Sequence, residues 1–190
     1  MYDVVILTDY RYEKPKKIDW YIQQVLTEDD ILQEALEKEG LTVCKKNWNS
    51  KDFNWKNTKH AIFRSTWDYF DRFDDFFKWL ENTKEQTNFI NSHNLIKWNI
   101  DKHYLADLAK KGINIAPTIF IEKGNNLSID SLFNKTGWQE AVVKPAISGA
   151  ARHTYRINKN NYRKHKSILN DLLLNESLLF QEFLNNIVKE

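Results

Sequence analysis

The segment "VVKPAISGAARHTYRI", residues 142–157, decides how the second half of the chain is interpreted. Its first part is an apolar strand that carries Lys144, and a charged side chain is costly there unless its ammonium group reaches water or an anion. A proline, which has no amide for a strand ladder, and a loop of small residues follow. Successive exposed amides in such a loop can bind an anion. The pattern also fits an ordinary hairpin whose lysine extends into solvent, and the local sequence leaves both alternatives open.

Around this segment, short strands and helices follow one another at close spacing. The predicted strands are "TIFIE", "AVVKPA", "HTYRI" and "SLLFQEF", and the predicted helices are "SIDSLFNKTGW" and "NNYRKHKSILNDLLL". We expect this part to be an α+β unit with antiparallel strand pairing.

The first half of the chain has a different pattern, in which apolar runs alternate with amphipathic helices. The predicted strands are residues 4–7 "VVIL", 41–46 "LTVCKK", 60–65 "HAIFRS" and 88–91 "NFIN". One predicted helix covers residues 30–38 and is capped by Asp29 or Asp30, and Gly40 follows its end. A second lies in "FDRFDDFFKWLENTK". This alternation predicts a Rossmann-like parallel sheet.

The two patterns together predict an α/β protein in three parts. A Rossmann-like domain covers residues 1–91, a helical link covers 92–116, and the α+β unit covers 117–190. The chain of 190 residues is 42% hydrophobic and contains seven tryptophans, which is ample for a packed core and excludes a disordered chain.

Charge and cysteine usage narrow the class of protein further. The net charge of +2 argues against a surface built throughout for nucleic acid. The single cysteine, Cys44, excludes a disulfide framework and is typical of a reducing compartment. The N-terminus does not have the pattern of a signal peptide, and no apolar run approaches the ~20 residues of a membrane span. We therefore expect a cytoplasmic protein that has no membrane partner.

The motif "RSTWDY", residues 64–69, directly follows the third predicted strand. Ligands of open α/β sheets bind at the carboxyl ends of the strands, and a guanidinium group there can bind a carboxylate through two hydrogen bonds. The candidate substrate residues at this edge are Asp9, Arg64, Ser65 and Asp68. The alternative is structural, with Trp67 and Tyr69 in the core and an ion pair between Arg64 and Asp68.

Four segments, taken in order, resemble one known family. They are "FRSTWDYFDRFDDFFKWLE", "NLIKWNIDKHYLADLAKKGINIAPT", "VVKPAISGAA" and "LLFQEFL". They resemble the RSTWDY-containing group of the ATP-grasp superfamily, which includes a cyclo-ligase of cycloserine biosynthesis and relatives of glutathione synthetase. The likeness covers essentially the whole chain. It implies a pre-ATP-grasp domain of Rossmann type followed by part of an ATP-grasp lid subdomain.

The resemblance implies an activity and a nucleotide site. The family activates a carboxylate as an acyl phosphate with ATP and magnesium, and a nitrogen nucleophile then attacks it. A small-molecule carboxylate is therefore the expected partner. By residue-for-residue correspondence, Lys102 and Lys144 contact the phosphates. The residues expected in the loop over the phosphates are Ser148, Gly149 and Ala150, and those expected against the adenine are Gln181, Glu182, Phe183 and Leu184.

This sequence departs from the family at its end. The family chain continues into a second ATP-grasp subdomain that supplies the magnesium ligands, whereas this sequence ends at "NNIVKE". We therefore expect a truncated chain that has no metal ligands and is not catalytic by itself. Glu190 is a candidate for the start of the next acidic motif. We also expect an open apolar face near residues 178–184, covered by a second copy or by a complementing C-terminal chain.

A basic segment that contains tyrosines suggests a second type of function. Residues 152–166, "RHTYRINKNNYRKHK", could bind the phosphates of a nucleic acid, or could form the solvated surface of the lid. The nearly neutral chain favours the lid surface. The alternative function is a non-catalytic protein that binds a nucleotide or a nucleic acid.

Overall fold

The computed structural model describes residues 1–126 and 128–187, and the chain divides into two compact units, Met1–Lys97 and Trp98–Glu190. This division falls inside the predicted link, residues 92–116. The three-part division of the chain stays a prediction. Glu190 lies outside the described residues.

The first unit contains a four-stranded sheet in which every strand pair is parallel. Its strands are β1 (Tyr2–Thr8), β2 (Val43–Asn47), β3 (Thr58–Ser65) and β4 (Asn88–Ile90). The strand order is β2-β1-β3-β4, so β1 and β3 lie in the centre. Residues 4–8 of β1 are fully or nearly fully buried, as expected for a central parallel strand. The predicted Rossmann-like parallel sheet is confirmed.

Helices connect these strands. They are α1 (Tyr10–Glu13), α2 (Trp20–Lys38), α3 (Phe73–Thr83) and α4 (His93–Asn99), whose last residues pass the division between the units. The predicted start of α2 at Asp30 is wrong, because Asp19 caps this helix by accepting a hydrogen bond from the Ile22 amide (2.8 Å). Gly40 follows the helix with a φ of +81°, a left-handed conformation that suits glycine.

The core of the first unit is rich in aromatic rings. Phe76 and Leu80 of α3 are buried against the sheet, together with Trp48 from the turn after β2. The Trp48 and Phe76 rings meet edge to face with their centroids 5.2 Å apart. Such pairs contribute about 0.5–1.5 kcal/mol beyond the burial of their area. The aromatic core therefore fixes α3 against the sheet edge that carries the "RSTWDY" motif.

The second unit contains a four-stranded antiparallel sheet in the order β5-β8-β6-β7. The strands are β5 (Thr118–Ile121), β6 (Glu140–Pro145), β7 (Tyr155–Asn158) and β8 (Leu178–Glu182), and the helices are α5 (Tyr104–Lys110), α6 (Ile129–Thr136) and α7 (Lys166–Leu173). The predicted α+β unit with antiparallel pairing is confirmed.

The centre of this second core is Phe180, which stacks on Trp138 at 5.3 Å and meets Phe133 edge to face. Leu178, Leu179 and Phe180 are all fully buried. The expectation of an open apolar face is therefore wrong for these three residues, since β8 is an inner strand and Leu178 and Phe180 belong to the core of this unit.

No helix in the part of the chain that the structure describes is long and apolar enough to cross a membrane.

Candidate nucleotide and substrate sites

Lys144 projects from β6 on the face opposite the core. Its neighbours Val143 and Pro145 are buried, and Lys144 itself is half-buried, as the alternation of a strand requires. Its ammonium group donates a hydrogen bond to Oε1 of Gln181 on β8 (3.0 Å), and the Gln181 amide donates to Oγ1 of Thr118 (2.8 Å). Burial lowers the pKa of Lys144 below its ordinary value.

Lys102 lies between α4 and α5 and contacts the loop that follows β6. Its ammonium group donates to the carbonyl oxygens of Ser148 (2.7 Å) and Ala146 (3.2 Å), and its amide also donates to Ala146 (3.0 Å). Burial, and to a lesser degree the charge on Lys144, lower the pKa of Lys102 to about 8. The side chain therefore both anchors the loop and brings a second positive charge towards Lys144.

These two lysines form an unusual electrostatic arrangement. Within the described residues, neither ammonium group lies within 4 Å of a carboxylate oxygen. Two half-buried like charges that are supported by neutral oxygens alone are unfavourable to the fold. An anion with several oxygens, such as a polyphosphate, would relieve both the burial cost and the repulsion.

The loop between β6 and β7 has a defined and strained conformation. Ala150, Ala151 and His153 have φ values of +48°, +57° and +49°, the left-handed region, in which an L-residue costs about 1–2 kcal/mol. The Arg152 amide donates to the carbonyl of Gly149 (2.9 Å), and the Ser148 hydroxyl donates to that of Arg152 (3.0 Å). The hairpin alternative describes the two strands correctly, but a simple hairpin with a solvated lysine does not account for this loop.

The expected adenine-contacting residues follow the end of β8. The amides of Glu182 and Phe183 donate to the carbonyls of Pro117 (2.9 Å) and Glu140 (3.1 Å), so these two donors are occupied. In residues 1–126 and 128–187, the Leu184 amide has no acceptor. The Gln181 side chain bridges Lys144 and Thr118 and therefore positions the lysine.

The basic segment, residues 152–166, has most of its arginine charge paired. Arg152 forms two hydrogen bonds with Glu176, each 3.0 Å long, and Arg156 pairs with Glu140. The Arg156 guanidinium also stacks 3.7 Å from the Phe183 ring centroid. These pairs leave less charge for a nucleic acid and favour the interpretation of the segment as a lid surface.

At the carboxyl end of β1, the structure shows a pair that the sequence analysis missed. Asp9 is fully buried and accepts hydrogen bonds from the Arg11 amide (2.8 Å) and from Nε of Arg11, which lies 3.1 Å from both carboxylate oxygens. This hydrogen bonding raises the pKa of Arg11 above its ordinary value. An aspartate that caps a helix two residues before an arginine was the available signal.

The other carboxylate at this edge is Asp68, which is buried behind the motif. It accepts hydrogen bonds from Nε1 of Trp48 (2.6 Å) and from Arg72 (3.3 Å). Burial raises the pKa of Asp68, and the nearby negative charge of Asp9 raises it further. The charge of Asp68 in turn helps to raise the pKa of Arg11. The predicted ion pair between Arg64 and Asp68 is therefore wrong.

Arg64 and Ser65 contact α2. The guanidinium group of Arg64 lies 3.2 Å from Glu28 and 3.6 Å from the buried carboxylate of Asp29. The Ser65 hydroxyl lies 2.7 Å from that of Thr8 and 3.3 Å from Asp29. The structure thus brings Asp9 and Asp68 together near Arg11, while Arg64 and Ser65 gather around Asp29. Their predicted substrate roles stay predictions.

In the described residues there is no group of three or more histidine, cysteine or carboxylate side chains that could hold a metal ion. Cys44 lies in β2, and burial raises the pKa of its thiol to about 11.

Residues 4–91 match the family model described as "D-cycloserine synthetase DcsG, N-terminal domain". The chain is also 29% identical over 132 residues to the cycloserine biosynthesis protein DcsG of Streptomyces lavendulae. That match covers 68% of this chain and 44% of the curated relative, so the chain spans less than half of its length.

Solved structures extend the likeness to the whole fold. The crystal structure of D-cycloserine synthetase DcsG superposes with a TM-score of 0.83 at 23% identity, over 98% of this chain and 61% of that one. D-alanyl-alanine synthetase A from Vibrio cholerae superposes with a TM-score of 0.65 at 13% identity, over 97% of this chain and 60% of that one. The RimK domain protein ATP-grasp from Sphaerobacter thermophilus superposes with a TM-score of 0.60 at 12% identity, over 96% of this chain and 64% of that one. The predicted resemblance is confirmed at the level of the fold, which this chain shares with an ATP-grasp protein.

Proposed function

We propose that this chain provides the substrate-binding and lid portions of an ATP-dependent ligase that activates a carboxylate as an acyl phosphate for attack by a nitrogen nucleophile. The observation that carries the proposal is the pair of half-buried ammonium groups, Lys102 and Lys144, which have no carboxylate partner in the described residues. The matched relatives support the reaction class, since each is named as a synthetase or biosynthesis protein.

The residues of the second unit fit a nucleoside triphosphate. Bound ATP supplies the phosphoryl group that activates the substrate carboxylate. Lys144 offers a point charge to the phosphates, and Gln181 orients its ammonium group. Lys102 offers a second charge and fixes the carbonyls of Ala146 and Ser148, so that the loop holds its shape over the same region. The free amide of Leu184 is the donor available to the adenine ring.

Magnesium is part of this proposal as an ion that accompanies the phosphates. The described residues contain no group of three or more histidine, cysteine or carboxylate side chains that could hold the ion. Catalysis in phosphoryl transfer depends on positioning and charge stabilisation, and the part of that work proposed for this chain is to bind and orient the triphosphate.

The proposal is tested by calorimetric titration of the 190-residue chain with ATP and with inorganic tripolyphosphate. We expect Lys144→Met to weaken the binding of both ligands by about tenfold or more, because a charge-assisted hydrogen bond is lost. The matched control is Lys135→Met, which removes an exposed lysine at the end of α6.

Equal ATP affinities for the wild type and Lys144→Met would contradict the proposal. The affinities for ATP and tripolyphosphate also test whether the protein binds the adenine base. ATP should bind more tightly than tripolyphosphate if the segment after β8 contacts adenine. Equal affinities for the two ligands would remove that contact from the proposal.

A further inference from the structure

Arg11 is fixed on one side and open on the other. Its Nε and Nη2 atoms bind the carboxylate of Asp9, which is itself fully buried and therefore cannot move with the guanidinium group. The remaining nitrogen, Nη1, has no acceptor in the part of the chain that the structure describes, and the Arg11 side chain is 44% exposed. A rigid guanidinium edge thus faces solvent at the carboxyl end of β1.

The other arginines of this unit do not present such an edge to the same degree. Arg64 contacts two carboxylates, Glu28 and Asp29, and Arg72 contacts two, Asp68 and Asp75. Each of these arginines would have to give up an ion pair in order to bind a substrate carboxylate. Arg11 can add a second carboxylate while it keeps the first.

An aromatic wall lies beside Arg11. Its guanidinium carbon is 5.3 Å from the ring centroid of Tyr12, which is buried, and Tyr12 meets the Trp67 ring at 5.7 Å. The Tyr21 ring lies 6.5 Å from that of Trp67. Trp67 and Tyr21 are 39% and 53% exposed, so each ring leaves part of its surface to solvent beside Arg11. The wall is therefore open to a ligand that Arg11 holds.

Charge near Arg11 also favours an anion. Lys14, Lys16 and Lys17 follow α1, are exposed, and form no salt bridge within the described residues. The acids near Arg11 are already paired, Asp9 with Arg11 itself, Glu13 with Lys46 and Asp68 with Arg72. The carboxyl ends of strands are also where open α/β sheets bind their ligands.

We propose that Arg11 binds the carboxylate of a small organic acid whose planar or apolar body lies against Trp67 and Tyr21. This inference rests on the proposed ligase function and specifies its substrate class. It assigns to Arg11 the role that the sequence analysis gave to Arg64. Asp9 is a positioning residue in this arrangement, since its buried carboxylate orients the guanidinium group.

The test uses three probes that distinguish binding of the carboxylate from binding of the ring. 3-Phenylpropanoate carries both groups, acetate carries only the carboxylate, and 3-phenylpropan-1-ol carries only the ring. Binding to the 190-residue chain is followed through the indole N–H signal of Trp67 in ¹H–¹⁵N spectra, assigned with Trp67→Phe. We expect 3-phenylpropanoate to bind about tenfold more tightly than either acetate or the alcohol, because it alone uses both parts of the site.

Variants locate the binding residue. We expect Arg11→Gln to weaken 3-phenylpropanoate at least about tenfold and Arg11→Lys to weaken it less, while Arg64→Gln leaves it unchanged. Because Arg11→Gln leaves Asp9 without its partner, thermal unfolding is measured alongside. Trp67→Leu, which keeps the Asp9–Arg11 pair but removes the reporting indole, provides a second test by calorimetric titration and should remove the advantage of the phenyl group over acetate.

Two results would overturn the inference. One is equal binding of 3-phenylpropanoate to the wild type and to folded Arg11→Gln, and the other is loss of binding in Arg64→Gln alone. The outcome is distinct from that for the ligase proposal, because ATP affinity is measured in the same variants. Failure at Arg11 with intact Lys144-dependent ATP binding rejects the substrate site and leaves the nucleotide site standing.

Discussion

The two units use positive charge differently. In the first, the lysines and arginines near the sheet have carboxylate partners: Lys45 contacts Asp29 and Asp30, and Lys46 contacts Glu13. In the second, Lys102 and Lys144 are half-buried, and among the described residues their ammonium groups contact only neutral oxygens of carbonyl and amide groups. A buried charge without a partner is unfavourable to the fold. The paired cations therefore hold the first unit together, and the unpaired ones of the second are available to a ligand.

Arg11 lies between these two cases, since one side of its guanidinium group is paired and the other is open. The comparison teaches that the number of partners around a cation is a better guide to ligand binding than the presence of the cation at a strand end. Arg64 and Lys144 both occupy strand-end positions, and their surroundings differ completely.

The largest expected effect is the loss of ATP affinity when the unpaired charge of Lys144 is removed. Lys144→Ala should reduce ATP affinity by about 10- to 150-fold, the equivalent of ~1.5–3 kcal/mol for a hydrogen bond to a charged group. The same variant should not lower the free energy of unfolding, because no ion pair is lost. Calorimetry and chemical unfolding measure the two quantities. If Lys144→Ala unfolded more easily and still bound ATP normally, Lys144 would stabilise the fold and would not serve a ligand, which would contradict the comparison.

Removal of a paired carboxylate should lower stability and leave ATP affinity unchanged, the opposite of the result expected for Lys144→Ala. Asp29→Ala is expected to lower the free energy of unfolding by about 3 kcal/mol, because Lys45, whose side chain is 14% exposed, loses a buried partner. ATP affinity should stay unchanged. Asp30→Ala is the matched control, since Asp30 also contacts Lys45 but is 60% exposed, and its cost should stay below about 1 kcal/mol. Equal losses for both variants would argue against the structural role of burial at Asp29.

The lowered pKa of Lys102 gives a pH-dependent prediction. Because this pKa is about 8, the ammonium group loses its charge as the pH rises above that value, and ATP affinity should fall by up to about tenfold between pH 7 and 9. The unfolded chain binds more protons than the folded one between about pH 8 and the ordinary value of 10.5, so this residue's penalty to stability decreases as the pH rises through that window.

Lys102→Arg is the control for the pH prediction, because an arginine stays charged throughout this range. Its ATP affinity should change little between pH 7 and 9. A wild-type affinity that is constant over the same range would show that Lys102 does not carry the charge that the phosphates require.

The smallest expected effect concerns an exposed pair. Arg64→Gln should lower the free energy of unfolding by no more than about 1 kcal/mol, since its guanidinium group is 37% exposed and its nearer partner, Glu28, is 69% exposed. Chemical unfolding measures this loss. A large loss of stability would place Arg64 among the residues that hold the first unit together.

The secondary structure was largely predictable because both sheets follow simple patterns. Buried β-branched runs marked the parallel strands, and short runs separated by turn residues marked the antiparallel ones. The first half of α2, "DWYIQQVL", was ambiguous between a short helix and an extended piece, because it exposes Trp20 and Tyr21 and so has no clear apolar face. Asp29, predicted as a cap, lies inside the helix and pairs with Lys45 and Arg64, whose distance along the chain hid this role from the local sequence.

The candidate sites were predictable to a different extent. The resemblance pointed to Lys102 and Lys144, and the structure shows what supports them, namely the Ser148 carbonyl and the Gln181 side chain. Neither contact follows from local sequence, because the partners are 46 and 37 residues apart along the chain. Arg11 was missed for a related reason, since an arginine after a strand gives no sign of which of its nitrogens stays free.

The most direct test of the central claim is an NMR pH titration of the ammonium groups of Lys102 and Lys144, followed through the side-chain ¹³Cε and ¹⁵Nζ signals with and without ATP. In the free protein both pKa values should lie below the ordinary lysine value, and that of Lys102 should lie near 8. Addition of ATP should raise both, because phosphate stabilises the charged form. Ordinary pKa values that ATP does not change would contradict the account.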